Sequence, residues 1–177
     1  MNNWYKKFAQ ETNIFGDDKD WFKKLTDGMP KQVSKDEPKV EDVELTLWNG
    51  FYGPLSRFDR KGDTLVISPE KNEQGAIWFT HKLITGYDPI DYATSHGDYL
   101  LTYSLQCKKH IQIVHFDDGS TSERIPEHIN GLTNVFENNK YYMGFELPEG
   151  WFFSYKNEKF IICTIPLTVT TQMIKKI

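Results

Sequence analysis

Hydrophobic and polar residues alternate in several short stretches of the chain, and the clearest of them lie within residues 77–105. Residues 77–79 (Ile-Trp-Phe) form an apolar run that is typical of a strand and ends at the polar residue Thr80. Asp88-Pro89 predicts a helix start, with Asp as the N-cap and Pro at the first helical position. From residue 99 to residue 105 every second residue is Tyr or Leu, which predicts a strand. The stretch therefore predicts a strand, a short helix and a second strand.

Further strands are predicted on both sides of this unit. The folded domain is expected to begin near Val43, and turn signals such as Gly119 in Asp-Asp-Gly-Ser separate the later strands. A short helix is expected within residues 123–134, and residues 169–177 fit a last strand or a short terminal helix. Many strands with few short helices indicate an α+β or mostly β domain, and we expect the α+β class. The other predicted strands are 44–48, 64–68, 111–116, 141–147, 150–155 and 158–164.

The first 40 residues differ in character from residues 41–177 and are expected to form a separate N-terminal segment. Two similar short pieces occur there, Trp-Tyr-Lys-Lys-Phe from Trp4 to Phe8 and Trp-Phe-Lys-Lys-Leu from Trp21 to Leu25. In each piece the first and fifth residues are apolar and share one face of a helical turn. The segment packs on the domain or forms a loose tail, or it is a docking arm for a partner protein. Membrane contact is disfavoured because acidic residues interrupt the basic faces.

Composition and charge narrow the class of protein. The chain has 177 residues, 38% of them hydrophobic and 15% aromatic, which is enough for one domain with a core. A net charge of −4 argues against nonspecific nucleic-acid binding over the whole surface. The two cysteines, Cys107 and Cys163, are expected to be reduced thiols, with Cys163 in the core. No secretory signal or apolar run of membrane-spanning length is visible, so we expect a cytoplasmic protein, of the producing or an infected cell.

The order of these motifs resembles the ADP-ribosyltransferase-like superfamily, in its bacterial and phage members. The resemblance rests on the strand that ends in Phe-Thr at Thr80, the short helix with Tyr-Ala at Tyr92, and the following Tyr-Leu-Leu-Thr-Tyr strand. The tail is also similar, with Asn-Glu-Lys-Phe-Ile-Ile-Cys-Thr-Ile-Pro at 157–166 and Gln-Met-Ile-Lys-Lys-Ile at 172–177. The resemblance as a whole covers roughly residues 43–177. The resemblance implies two small packed β-sheets with a few short helices, a cleft between the sheets, and NAD+ as the substrate bound there.

The resemblance also assigns roles to individual residues. It places Glu158 as the catalytic carboxylate, which would stabilise the cationic ribosyl transition state as nicotinamide leaves. Tyr92 would stack on the nicotinamide ring, with Thr80 close by, and the loop residue Arg57 would meet the pyrophosphate. Asn49, before Gly50, stands where the family has His or Arg, so it departs from the family pattern. The implied activity is the transfer of ADP-ribose to a protein or nucleic-acid acceptor.

Each of these residues also has a structural interpretation. Asn49-Gly50 fits a simple turn, Arg57 a solvated loop, Tyr92 a half-buried helix position and Glu158 an exposed turn. The position two residues before Glu158 is Lys156, which disfavours modification of arginine side chains. The five histidines have no metal-site spacing, so no metal is expected. The alternative function is that of a non-catalytic accessory or virion component that docks to partners through the N-terminal segment.

Overall fold

The computed structural model describes residues 27–71, 75–130, 141–154 and 160–177. Among these residues 52% lie in strands and 14% in helices. The expected α+β class with two small packed sheets is therefore wrong, because the protein is mostly β. The α-helices of the described part are α1 (Pro89–Thr94) and α2 (Glu127–Asn130), of 6 and 4 residues.

The strands vary widely in length. The two longest have 13 and 18 residues and carry most of the pairing, whereas several others have two to four. Short 3-10 turns occur at Leu55–Arg57, Pro69–Lys71 and Thr171–Met173. The strands are β1 (Gln32–Lys35), β2 (Lys39–Phe51), β3 (Asp59–Lys61), β4 (Thr64–Ile67), β5 (Ile77–Thr80), β6 (Tyr99–Phe116), β7 (Thr121–Arg124), β8 (Tyr141–Tyr142), β9 (Phe145–Glu146), β10 (Trp151–Phe153), β11 (Phe160–Cys163), β12 (Leu167–Thr170) and β13 (Ile174–Lys176).

The chain divides into two compact units, and the smaller one comprises, among the described residues, 27–35 and 114–122. Within it β1 pairs antiparallel with the end of β6, so that Lys35 lies opposite Val114. The backbone N–H of Lys31 donates to the carboxylate of Asp117 at 2.8 Å. The predicted turn before β7 is present, and Gly119 adopts a φ of 81°, a conformation that favours glycine. The predicted boundary at residue 40 stays a prediction because residues 1–26 lie outside the described part.

Among the described residues, the larger unit comprises 36–71, 75–113, 123–130, 141–154 and 160–177, and it contains a large antiparallel sheet. The strand order is β10-β11-β5-β2-β6-β9-β8, and β13 also pairs with β6. β2 and β6 form a continuous ladder from the pair Lys39–Ile111 to the pair Phe51–Tyr99. A separate three-stranded sheet has the order β12-β4-β3.

β6 joins two stretches that the sequence predicted as separate strands. Residues 99–105 and 111–116 were expected to be separate strands, but they form one strand of 18 residues. Leu101, Leu105, Cys107 and Ile111 are all buried, so the period of two continues through the polar stretch between Cys107 and Ile111. Lys108 is exposed and points away from the core, and its charge therefore does not interrupt the strand.

The core of the larger unit is rich in aromatic residues. Phe79 and Phe153 are fully buried, and the ring of Trp151 packs 5.5 Å from both Phe79 and Tyr103. Each such buried side chain contributes about 1.5–3 kcal/mol of hydrophobic stabilisation. Both cysteines are buried free thiols, and Cys163 is fully inside the core, as predicted.

Candidate ligand-binding cleft

A cleft of about 540 Å³ lies within the larger unit, and we call it the Tyr92 cleft. β2, β5, α1, the Leu55–Arg57 turn and the first residue of β11 contribute to its walls. Its volume is that of an ordinary small-molecule site. The lining residues are Trp48, Asn49, Gly50, Phe51, Arg57, Phe58, Ile67, Ala76, Ile77, Trp78, Thr80, Tyr92, Ala93, His96 and Phe160.

Strand register brings the floor of the cleft together. Thr80 on β5 lies opposite Trp48 on β2 and opposite Phe160 on β11. Residues that face each other in adjacent strands point to the same side of a sheet. Trp78 shares the side of Thr80 because it lies two residues earlier on the same strand. One face of three neighbouring strands therefore presents Trp48, Trp78 and Phe160 to the same space.

Helix α1 closes one side of the cleft and is fixed at both ends. As predicted, Asp88 is its N-cap, and its carboxylate accepts hydrogen bonds from the N–H groups of Ile90 and Asp91 at 2.8 and 3.1 Å. Gly50 on β2 lets the helix approach the sheet. A Cβ atom at this glycine would lie 1.7 Å from the carbonyl oxygen of Ala93, which no side chain tolerates.

A row of rings continues from α1 across the cleft. The ring of His96 stacks on that of Tyr92, with centroids 4.5 Å apart and planes at 24°. Tyr92 meets Phe160 edge to face at 5.5 Å, and Phe160 meets Trp78 edge to face at 5.6 Å. Tyr92 is 38% exposed, so its ring is accessible from the cleft. This row of four rings, which we call the aromatic row, offers flat faces and edges to a planar ligand.

Arg57 supplies the one formal charge among the described lining residues. Its guanidinium carbon lies 4.7 Å from the ring centroid of Phe58 and 5.9 Å from that of Phe51, so cation–π contacts hold it beside the cleft. Outside the lining, Lys82 Nζ lies 5.3 Å from the ring of Trp48. Because no described lining residue is a carboxylate, the charge of the cleft favours an anionic ligand.

The polar groups on the floor are largely committed to the fold. The amide nitrogen of Asn49 donates to the carbonyl of Trp78 at 2.7 Å, which leaves its oxygen as an acceptor. The buried hydroxyl of Thr80 lies 2.7 Å from the carbonyl oxygen of Pro89 and 3.2 Å from that of Trp48. Behind α1, Tyr87 donates to the carbonyl of His81 at 2.7 Å, and burial raises the pKa of Tyr87 above its usual value.

The structure brings together the five residues that the sequence singled out for cofactor binding. Asn49, Gly50, Arg57, Thr80 and Tyr92 all line the same cleft. Their roles toward a ligand stay predictions.

Two other sets of predicted residues cannot be placed in the same way. The proposed catalytic residue Glu158 lies outside the described residues, and so does Lys156, two positions before it. The docking residues Trp4, Phe8, Trp21 and Leu25 lie outside them as well.

Most of the aromatic lining of the cleft was not predicted from the sequence. Trp78 carried a usable signal, because its spacing of two from Thr80 places both residues on one face of β5. Trp48 and Phe160 carried no such signal in the sequence. Their place in the cleft depends on which distant strands pair with β5. His96 lies one helical turn after Tyr92, and this spacing of four was the signal that could have placed both rings on one side of α1.

No protein-family model, curated protein or solved structure matches the chain. The resemblance to ADP-ribosyltransferases therefore stays a prediction. Within residues 27–71, 75–130, 141–154 and 160–177, no group of three or more His, Cys, Asp or Glu side chains is arranged to hold a metal ion. None of the helices in this part of the chain is long and apolar enough to cross a membrane.

Proposed function

We propose that the Tyr92 cleft binds a small molecule that combines a flat aromatic ring with an anionic group, as nucleotides do. The observation that carries this proposal is the aromatic row beside Arg57, in a cleft without a described carboxylate. Stacking of a base on aromatic side chains contributes about 1–3 kcal/mol per base. An arginine fork matches the oxygens of a phosphate and adds direction to the binding.

Within this class we propose NAD+ as the first ligand to test. The sequence resemblance supports this choice, together with the meeting of Asn49, Arg57 and Tyr92 in one cleft. Tyr92 would pack on the nicotinamide ring, Arg57 would bind the pyrophosphate, and the free oxygen of Asn49 would accept a ribose hydroxyl. Thr80 would support the cleft from beneath, since its hydroxyl already binds backbone carbonyls.

The enzymatic form of this proposal is ADP-ribosyl transfer. The bond between the ribose C1′ and the nicotinamide nitrogen would break, and C1′ would bond to an acceptor nucleophile on a protein or nucleic acid, which loses a proton. Glu158 would stabilise the cationic ribosyl group during this exchange. This step rests on the sequence resemblance alone.

A non-catalytic role is the second candidate, as an accessory or virion component that docks through Trp4, Phe8, Trp21 and Leu25. One observation favours it. The polar atoms of Asn49 and Thr80 make backbone hydrogen bonds, so these floor residues build the cleft and leave few groups for proton transfer. To bind a ligand without reacting with it, the protein needs only the aromatic row and Arg57.

The first experiment compares AMP with adenosine, which differ by the phosphate. We expect ligand-detected NMR titration to give AMP an affinity about 10-fold higher, since one charged hydrogen bond contributes about 1.5–3 kcal/mol before solvent screening reduces it. Arg57→Gln should remove this advantage. Arg60→Gln is the matched control, because Arg60 is exposed, lies outside the cleft and bonds to the carbonyl of Gly62. Absence of AMP binding at millimolar concentration would reject the proposal.

A second experiment tests the enzymatic form. Wild type and Glu158→Gln are incubated with NAD+, and free nicotinamide is measured by NMR. Release of nicotinamide by wild type alone supports transferase or hydrolase chemistry. If both proteins bind NAD+ and neither releases nicotinamide, the result supports the non-catalytic role.

A further inference from the structure

The hydrogen bonds of His96 determine which of its ring nitrogens carries the proton. Nδ1 of His96 lies 2.7 Å from the carbonyl oxygen of Tyr92 and 2.9 Å from the hydroxyl oxygen of Ser95. The Ser95 hydroxyl uses its single proton to donate to the same Tyr92 carbonyl at 2.7 Å. A carbonyl oxygen only accepts, and the Ser95 proton is already committed, so both contacts require a proton on Nδ1.

Neutral His96 therefore has a bare lone pair on Nε2, the nitrogen on the far edge of the ring from these contacts. His96 lines the Tyr92 cleft, and its ring is the end of the aromatic row. Stacking on Tyr92 and the Nδ1 bonds fix the orientation of the ring. Nε2 is thus an oriented acceptor that the described residues leave for a ligand.

We infer that Nε2 of His96 recognises a ligand by accepting a hydrogen bond from an amino N–H on the aromatic ring. This inference rests on the proposed function and adds a selection rule to it. A ring with an amino group, such as adenine, is preferred to one with a carbonyl at the same place, because a carbonyl oxygen would face the lone pair.

The test compares AMP with IMP, which carry the same ribose and phosphate and differ in the amino or carbonyl group of the ring. Because AMP and IMP carry the same phosphate, the ratio of their dissociation constants reports only the effect of the difference between their rings. At pH 8 we expect wild type to bind AMP about 3- to 10-fold more tightly than IMP, the range for one hydrogen bond.

His96→Phe keeps a ring on Tyr92 and removes the acceptor, so it should bind both nucleotides equally. His128→Phe is the control, because His128 lies outside the cleft and packs near His110. Equal affinities for AMP and IMP in wild type at pH 8 would overturn the inference, as would a preference that survives in His96→Phe, while the cleft would remain a nucleotide site. Failure of both nucleotides to bind would instead overturn the proposed function, and this inference with it.

Discussion

Replacing Thr80 by Val removes one buried hydroxyl and leaves the shape of the side chain almost unchanged. The hydroxyl has one proton and lies closer to the Pro89 carbonyl, at 2.7 Å, than to the Trp48 carbonyl, at 3.2 Å. It therefore donates mainly to Pro89, the first residue of α1. Thr80 is 3% exposed and Pro89 is buried, so water cannot replace the lost donor.

The expected cost follows from this burial. A buried carbonyl that loses its partner costs about 1–3 kcal/mol of folding free energy. For a chain of this length the loss corresponds to a fall in melting temperature of about 2–4 °C per kcal/mol. Thr80→Val should therefore melt roughly 2–12 °C below wild type.

Thermal and urea unfolding followed by circular dichroism measure this loss. Thr80→Ser retains the hydroxyl and should recover most of the difference. Thr102→Val makes the same chemical change at an exposed position of β6, opposite Trp48, and should lie within about 0.5 kcal/mol of wild type. If Thr80→Val is as stable as Thr102→Val, the hydroxyl does not fasten α1 to the sheet and the reasoning fails.

Two further predictions concern packing and high pH. Gly50→Ala places a methyl group against the Ala93 carbonyl, so we expect a loss of at least about 1–3 kcal/mol in urea unfolding together with weaker AMP binding, whereas Gly28→Ala, with open space around it, should be neutral. Burial raises the pKa of Cys107 to about 11 from its ordinary value of 9.0, so the unfolded chain releases this proton first as pH rises. Stability should therefore fall between about pH 9 and pH 11, by up to about 3 kcal/mol, and less so in Cys107→Ala.

Two results would count against these predictions. An Ala at position 50 that leaves both stability and AMP affinity unchanged would show that α1 does not need the close approach to β2. Identical slopes of stability against pH in wild type and Cys107→Ala would show that the thiol is not the group that titrates.

Local features of the fold were predictable because they depend on neighbouring residues. Asp88-Pro89 gave the start of α1, and the apolar run before Thr80 gave β5, with its bounds. Gly97 lies beyond the helix, which ends at Thr94. A Cβ atom at Gly97 would lie 2.3 Å from the backbone of Phe51, so close packing on β2 accounts for this glycine.

Features that depend on distant pairing were not predictable in this way. The charged residues of β2 and β6, such as Asp42 and Lys108, lie opposite one another in the ladder, and their strands continue through them. The predicted strands 44–48 and 99–105 stopped short of these charged residues. The α+β expectation itself came from the many strands with few short helices and from the resemblance to ADP-ribosyltransferases. The cleft depends on the same pairing, because Trp48, Thr80 and Phe160 meet only once β2, β5 and β11 are in register.

A planar anionic ligand is proposed to bind in the Tyr92 cleft. The most direct test of this binding follows the indole N–H signals of the tryptophans in a ¹⁵N-labelled sample. Trp48 and Trp78 line the cleft, whereas Trp151 is buried in the core against Phe79 and Tyr103. On titration with AMP the indole signals of Trp48 and Trp78 should shift in a saturable way, while that of Trp151 stays in place. Saturable shifts that miss Trp48 and Trp78, or no shifts at millimolar AMP, would contradict the claim.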